Sequence, residues 1–513
     1  MQGTSKIILN TCILYAKIII NMMISLVSVP LILKALGPSD FGLYNLVAGV
    51  ISMLAFLNAS MSISTQRFLS VAIGEGNTKK LNQIYNCGVF LHILIGLCVV
   101  CGFELAFPFL FDGFLNINTE RIETAKLVFQ LLVVSTFFTI LAIPYGAVMN
   151  AKEDMFAFSI IGICEALLKL LLALYLSYCP MDRLLFYAIG MSIIAILITF
   201  VNSIYISKKY SDFEIALTKY VNKGTLCQML GFAGWNTLGA VAMIGRNQGV
   251  AIVINLFYGT IINASYGVAN QINGVLNYFS TTFQRAINPQ LMQSEGQKDR
   301  SRLIKFSYSS SKFSILVLAF FAVPLIIEMP YVLKLWLHEI PAYTIELSRL
   351  ILVLSIIFQL SMGLMSAIQA VGQIREYFVA VSILILLNIP ISYLFLKFGY
   401  PPYFCTISFI LIEVITFAMR LIMAKQIVGI SPIIFLNEVV IKAFVCIIIG
   451  AILPLILVNI IDESFFRLLL VCLLYAITFI SVMWCYALSK NQKLYVKSII
   501  NNIVVKLRNF LKR

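Results

Sequence analysis

Apolar residues run through this chain in long blocks separated by short polar stretches, rather than at alternate positions. A bilayer core about 30 Å thick is crossed by roughly 20 residues at about 1.5 Å rise each, so a block of that length suits one membrane helix. Inside lipid every backbone N–H and C=O must find a partner, which leaves helices and closed barrels as spanning structures. Barrel strands alternate with period two, and these blocks do not. They predict fourteen helices, at 8–33, 42–64, 83–110, 125–149, 155–178, 184–206, 229–256, 263–285, 306–328, 347–369, 376–397, 402–424, 438–460 and 465–488. The most polar, 263–285, carries Asn263, Ser265, Asn270, Gln271, Asn273 and Asn277, so it must face other helices or a wet space. The expected fold class is therefore an all-α integral membrane protein with about 14 transmembrane helices.

Composition agrees. Of 513 residues, 61% are hydrophobic and 12% charged, and the mean hydropathy is +0.97. The charged share is about half that of soluble domains, which excludes a soluble enzyme or binding module. The net charge of +15 does not point to nucleic acid, because the basic residues are scattered over short loops and a C-terminal tail. One set of alternate loops, with the tail, holds about 23 Lys and Arg against about 8 on the other. That asymmetry places both termini in the cytoplasm, as an even number of spans requires. Most of the cysteines, such as Cys98, Cys101, Cys164 and Cys446, sit in apolar blocks and read as small hydrophobes. His92 and His338 are the only histidines, which leaves no His-based metal site. The run from Ile7 to Leu33 is too long for a signal-peptide core and reads as the first span.

An internal repeat organises the helices. Gly37-Pro38-Ser39-Asp40-Phe41-Gly42-Leu43-Tyr44 lines up with Gly259-Thr260-Ile261-Ile262-Asn263-Ala264-Ser265-Tyr266. Thr65-Gln66-Arg67 lines up with Phe283-Gln284-Arg285, Gly74-Glu75-Gly76 with Ser294-Glu295-Gly296, and Met155-Phe156 with Tyr377-Phe378. The matches keep their order at offsets of 218 to 222. Six helices per repeat make the halves parallel, and transporters place substrate between such halves. The chain then divides into a six-helix lobe at 1–206, a cytoplasmic linker at 207–228, a second six-helix lobe at 229–425, an additional helix pair at 438–488 and a basic tail at 490–513. The tail interleaves Leu494, Val496, Ile499, Ile503, Leu507 and Leu511 with Lys and Arg, as in an amphipathic helix lying on an anionic leaflet.

The stretch Val29-Pro30-Leu31-Ile32-Leu33-Lys34-Ala35-Leu36-Gly37-Pro38-Ser39-Asp40-Phe41-Gly42-Leu43-Tyr44 resembles the first loop of bacterial polysaccharide flippases. These are the O-antigen and exopolysaccharide exporters of the multidrug/oligosaccharidyl-lipid/polysaccharide superfamily. Ser64-Thr65-Gln66-Arg67-Phe68, the layout of twelve helices plus two, and the short loops are similar as well. The resemblance covers essentially the whole chain. It implies two six-helix lobes around a central cavity. It also implies an oligosaccharide joined by pyrophosphate to undecaprenol as substrate, carried across the bacterial inner membrane. Expected partners are that lipid-linked oligosaccharide, membrane lipids, and polysaccharide polymerase and chain-length proteins. No cofactor is expected beyond a coupling ion, H+ or Na+, that the sequence does not name.

Charges inside spans are unfavourable by roughly 2.5–3.5 kcal/mol on insertion scales, so each needs a reason. Lys17 in helix one and Arg246 in helix seven stand in repeat-equivalent helices, and two cations facing a cavity suit a diphosphate. The plainer alternative pairs each with a carboxylate or a backbone carbonyl. Asn236, Asn247, Asn270, Gln271 and Asn273 are candidates for sugar contacts or for interhelical bonds. Glu165 and Lys169, four apart in helix five, form a structural pair or a coupling pair. Glu413 and Arg420, seven apart, share a face of helix twelve and carry the same two readings. Arg67 and Arg285, taken as equivalent ends of helices two and eight, are basic anchors or a cytoplasmic gate. The main rival is a multidrug extrusion pump, which would favour carboxylates where helices one and seven offer Lys17 and Arg246. A flippase for lipid II or a teichoic-acid precursor stays open. A membrane enzyme is disfavoured, because the outer loops are short.

Overall fold

The computed structural model describes residues 2–52, 55–111, 117, 119–337, 339–490 and 492–493, and every regular element among them is helical. Eleven of these helices are long and apolar enough to cross a membrane, or twelve if the bent pair Thr344–Gln359 and Met362–Val371 is one span. Two of them are double. Gln2–Ser52 is broken at Gly37 (φ 77°, ψ 165°) and Lys223–Gly296 at Gly259 (φ 74°, ψ −169°). This corner of backbone space is closed to residues with a Cβ, so each break requires glycine. The breaks separate helix one (2–36) from helix two (38–52 and Ala55–Glu75), and helix seven (223–258) from helix eight (260–296).

The other spans follow in chain order. Helices three to six are Thr78–Phe109, Ile122–Ala151, Met155–Leu176 and Arg183–Lys209, and helix nine is Arg300–Ile327. Helix ten is the bent pair, and helix eleven is Arg375–Lys397 with an irregular turn at Leu387. Helices twelve to fourteen are Phe404–Val428, Pro432–Val458 and Phe465–Ala487.

The repeat is written into the backbone. Gly37 and Gly259, the positive-φ pair Gly76 and Lys298, and Met155 and Tyr377 at the heads of helices five and eleven are all 222 residues apart. The close approaches of helices two and eight obey the same offset. A Cβ on Gly74 would lie 2.2 Å from the Gln293 carbonyl oxygen, and one on Gly296 would lie 2.1 Å from that of Val71. These reciprocal contacts join residues related by 222 in both directions. The register read from sequence near this point therefore needs correction. The structural counterpart of Gly74 is Gly296 rather than Ser294, and the match of Arg67 with Arg285 is one helical turn out. Helix eight runs unbroken from 260 to 296 between its two glycines and admits no slip of two or four residues.

Two compact units make up the chain. One comprises Ile7–Val241 with Asn288–Asp299, and the other Ala242–Ile287 and the chain from Arg300 onward, with the first few residues. The stretch 207–228 lies wholly in the first unit. Asn82 and Asn86, a turn apart on helix three, hold it there. Asn82 donates to the Asp212 carbonyl at 2.7 Å and accepts from the Glu214 amide, and Asn86 donates to the Glu214 carbonyl at 2.8 Å and accepts from the Ala216 amide. The core of this unit joins Leu69, Ile84, Tyr85, Val148 and Met229 at one end, and Phe103, Phe111, Val128 and Phe129 at the other.

In the second unit, Val250, Ile254, Ile262, Ala269, Leu347, Ile351, Cys405 and Phe409 build the core around helices seven, eight, ten and twelve. The appended helices thirteen and fourteen are fastened to helix nine. Arg467 donates Nε and Nη2 to the two carboxylate oxygens of buried Glu328 at 2.8 and 2.9 Å, the Tyr475 hydroxyl donates to Ala319 O, and Lys312 Nζ donates to Ala487 O at 3.0 Å. The expected surface helix at 490–513 lies outside the described residues apart from 490, 492 and 493.

Candidate functional site

Membrane helices bury charge only where neighbouring polar groups accept it. In the second unit three buried charges meet. Helix seven brings Arg246, which is 8% exposed, and helix twelve brings Glu413 and Arg420, which are 2% and 1% exposed. Helix twelve presents Phe409, Glu413, Thr416 and Arg420 on one buried stripe, the spacing of a helix face. Helix seven lies close to helix eleven because Gly249 has no side chain: a Cβ there would meet Ile389 Cδ1 at 2.7 Å. Helix ten bends by 41° just where Ser361 accepts from Arg420 Nη1 at 2.9 Å.

Arg420 is ion-paired to Glu413. Its Nε is sealed from solvent and finds no acceptor. Arg246 is held differently. Its guanidinium lies 4.7 Å from the Phe409 ring centroid, and Nε donates to Asn247 Oδ1 at 3.1 Å. That is its one hydrogen bond among the described residues, and no carboxylate there is within ion-pairing distance. Tyr266, Glu413 and Arg420 lie within its electrostatic reach.

The remaining candidates take various places. Lys17 belongs to the first unit, where its Nζ lies 4.0 Å from the Phe158 ring centroid and 3.5 Å from Phe158 O, across the bare backbone of Gly162. Glu165 and Lys169 pair at 2.6 Å on a half-exposed face. Asn236 donates to Phe232 O and Asn270 to Tyr266 O, each one turn back in its own helix, and Gln271 is exposed. Asn273 accepts from Ser355, while Asn277 donates to Asn273 and accepts from Gln359 at 3.0 Å, a ladder that ties helix eight to helix ten. Arg67 packs between the rings of Phe68 and Phe232 at 4.7 and 4.9 Å, whereas Arg285 is exposed. Sequence reasoning did not single out Ser355 and Gln359, because one polar side chain in an apolar block carries no periodic signal.

A family model described as MatE matches residues 14–176. The uncharacterized membrane protein EpsK of Bacillus subtilis (strain 168) is 22% identical over 304 residues, 59% of this chain and 59% of that protein's own length. A solved structure described as the outward-facing conformation of a multidrug resistance MATE family transporter of the MOP superfamily superimposes with TM-score 0.71. Its sequence identity is 14%, over 83% of this chain and 95% of that one. The chain has the MATE fold. A MOP superfamily transporter from Pyrococcus furiosus shares that fold, with TM-score 0.70 and 15% identity over 83% and 95% of the two chains. Its structure is described as having a binding pocket of reverse polarity that suggests a different function.

Charged clasps also close the helix ends of this MATE fold in its first unit. Arg121 bridges the carboxylates of Asp40, from the opening motif, and Asp182, the N-cap of helix six. The hydrogen bond from Arg121 to Asp182 raises the guanidinium further above its ordinary value. Burial opposes ionisation of Asp182, but the Leu185 and Leu184 amides and Arg121 outweigh it and hold the carboxyl below the usual range. At the other end, Asp154 caps helix five and accepts from Lys209, Tyr205 and Tyr210 at 2.7–2.8 Å. Burial again opposes its ionisation, and those three donors together drive the carboxyl below its ordinary value. The clasps join residues far apart along the chain, a proximity no sequence period announces.

Proposed function

We propose that this chain is a flippase. It carries an oligosaccharide linked by pyrophosphate to undecaprenol, an O-antigen or other surface-polysaccharide repeat unit, from the cytoplasmic to the outer leaflet of the bacterial inner membrane. It works by alternating access, with both termini cytoplasmic. The observation that carries this reading is Arg246, a guanidinium buried among membrane helices with no carboxylate in ion-pairing distance among the described residues. A buried cation left in that state calls for an anion, and planar guanidinium matches phosphate oxygens in charge and geometry. The opening motif around Gly37 and the reversed pocket polarity described for the Pyrococcus furiosus relative support the same reading.

The experiment is Arg246→Ala in a host from which the gene has been deleted. Export of the surface glycan is expected to fall at least tenfold while the protein still reaches the membrane. Normal surface glycan would remove Arg246 from the mechanism.

The second reading is a cation-coupled multidrug pump, favoured by the superposition on a multidrug resistance transporter. It predicts a gain in tolerance to cationic dyes on overexpression. The flippase reading predicts none.

A further inference from the structure

Counting charge in the second unit exposes an imbalance. Arg246 and Arg420 contribute two positive charges and Glu413 one negative, all buried and within electrostatic reach of each other. The polar groups packed against them are neutral: Asn247 on helix seven, Tyr266 on helix eight, Ser361 on helix ten and Tyr377 on helix eleven. A net positive charge away from water is costly unless something neutralises it. Donors stand ready for that something. Arg420 Nε is buried without an acceptor. The terminal amines of Arg246 donate to nothing among the described residues, yet they are not among the atoms sealed from solvent.

We propose that Arg246, Arg420 and Glu413 form one phosphate-binding site in which the Glu413 carboxylate stands in for a ligand oxygen while the site is empty. This rests on the flippase reading and assigns the residues that read the anionic headgroup. An arriving phosphate bridges Arg246 and Arg420 and displaces Glu413 from the Arg420 Nη1 it pairs with. The carboxylate thus keeps the empty site charge-balanced enough to fold, and it competes with the ligand so that the ligand can leave. A permanently bound headgroup would not be transported, and a resident competitor prevents that.

The test uses the purified full-length protein in detergent, with farnesyl pyrophosphate as probe and farnesol as the uncharged control, read by calorimetry. Wild type should bind the pyrophosphate and discriminate against farnesol. Arg246→Gln should weaken pyrophosphate binding about tenfold, the scale of one charge-assisted pair. Glu413→Gln should tighten it several-fold, because the competitor is gone. Should Glu413→Gln fail to fold, the neutral pair E413Q/R420Q decides: pyrophosphate binding weakened like that of Arg246→Gln supports the site, and binding equal to wild type overturns it. A folded Glu413→Gln protein that binds no tighter than wild type also overturns it, as does wild type that binds farnesol and the pyrophosphate alike. Headgroup binding that follows these variants in a protein whose deletion leaves surface glycans intact would refute the flippase reading and leave the site standing.

Discussion

A guanidinium taken out of water loses hydration that only nearby acceptors restore. Arg467 regains it through two bonds to Glu328 and one to the Ile461 carbonyl. Removing one member of such a pair leaves a lone buried charge. Arg467→Met should therefore lower stability by about 3–5 kcal/mol, and E328M/R467M should recover most of it. Thermal unfolding in detergent reads both. Asp154 makes a pH statement. Its folded value lies below the unfolded one, so its contribution is complete above about pH 4 and disappears as pH falls below that. Asp154→Asn should lower the melting temperature at neutral pH and flatten its decline in acid. The intramembrane charges themselves were legible in the sequence, since Lys17, Arg246, Glu413 and Arg420 each interrupt an apolar block. Apart from the Glu413–Arg420 pair, their partners were not, because Phe158, Phe409 and Ser361 come close to them only through tertiary packing.

Helices two and eight illustrate how an element is placed by what it lacks. Gly74 and Gly296 each present bare backbone to a carbonyl of the other helix. A side chain there meets backbone, which has no flexible end to swing aside. On the flippase reading, Gly74→Val or Gly296→Val should abolish export while insertion persists, whereas Gly102→Ala, at a position with open space, should be silent. Surface-glycan assays with membrane quantification distinguish the two outcomes. Sequence matching found the repeat but slipped by two residues here and by four at Arg67. Chemically similar triplets outscored the true register, which only the fixed helix lengths enforce. The break at Leu360–Ser361 left no such trace, whereas the turn at Leu387 lies three residues before Pro390, which cannot donate to the preceding turn.

At the scale of the molecule, the hydrophobic blocks already announced the all-helical membrane fold, because bilayer thickness sets block length. The path between the halves was harder to read. The stretch 207–228 looks like a loose polar connection, yet two asparagines bind its backbone to helix three as a neighbouring strand would. Asn82→Ala with Asn86→Ala should expose residues 212–216 to limited proteolysis of the folded protein, and unchanged protection would show that other contacts hold them. The spacing of the paired glycines carries its own consequence. From break to crossing, Gly37 to Gly74 and Gly259 to Gly296 each measure 37 residues, so the halves own struts of one length. Lengthening one strut by a helical turn would carry its glycine away from the crossing, but lengthening both by the same turn would keep them level. Evolution and engineers alike can alter this span only in duplicate.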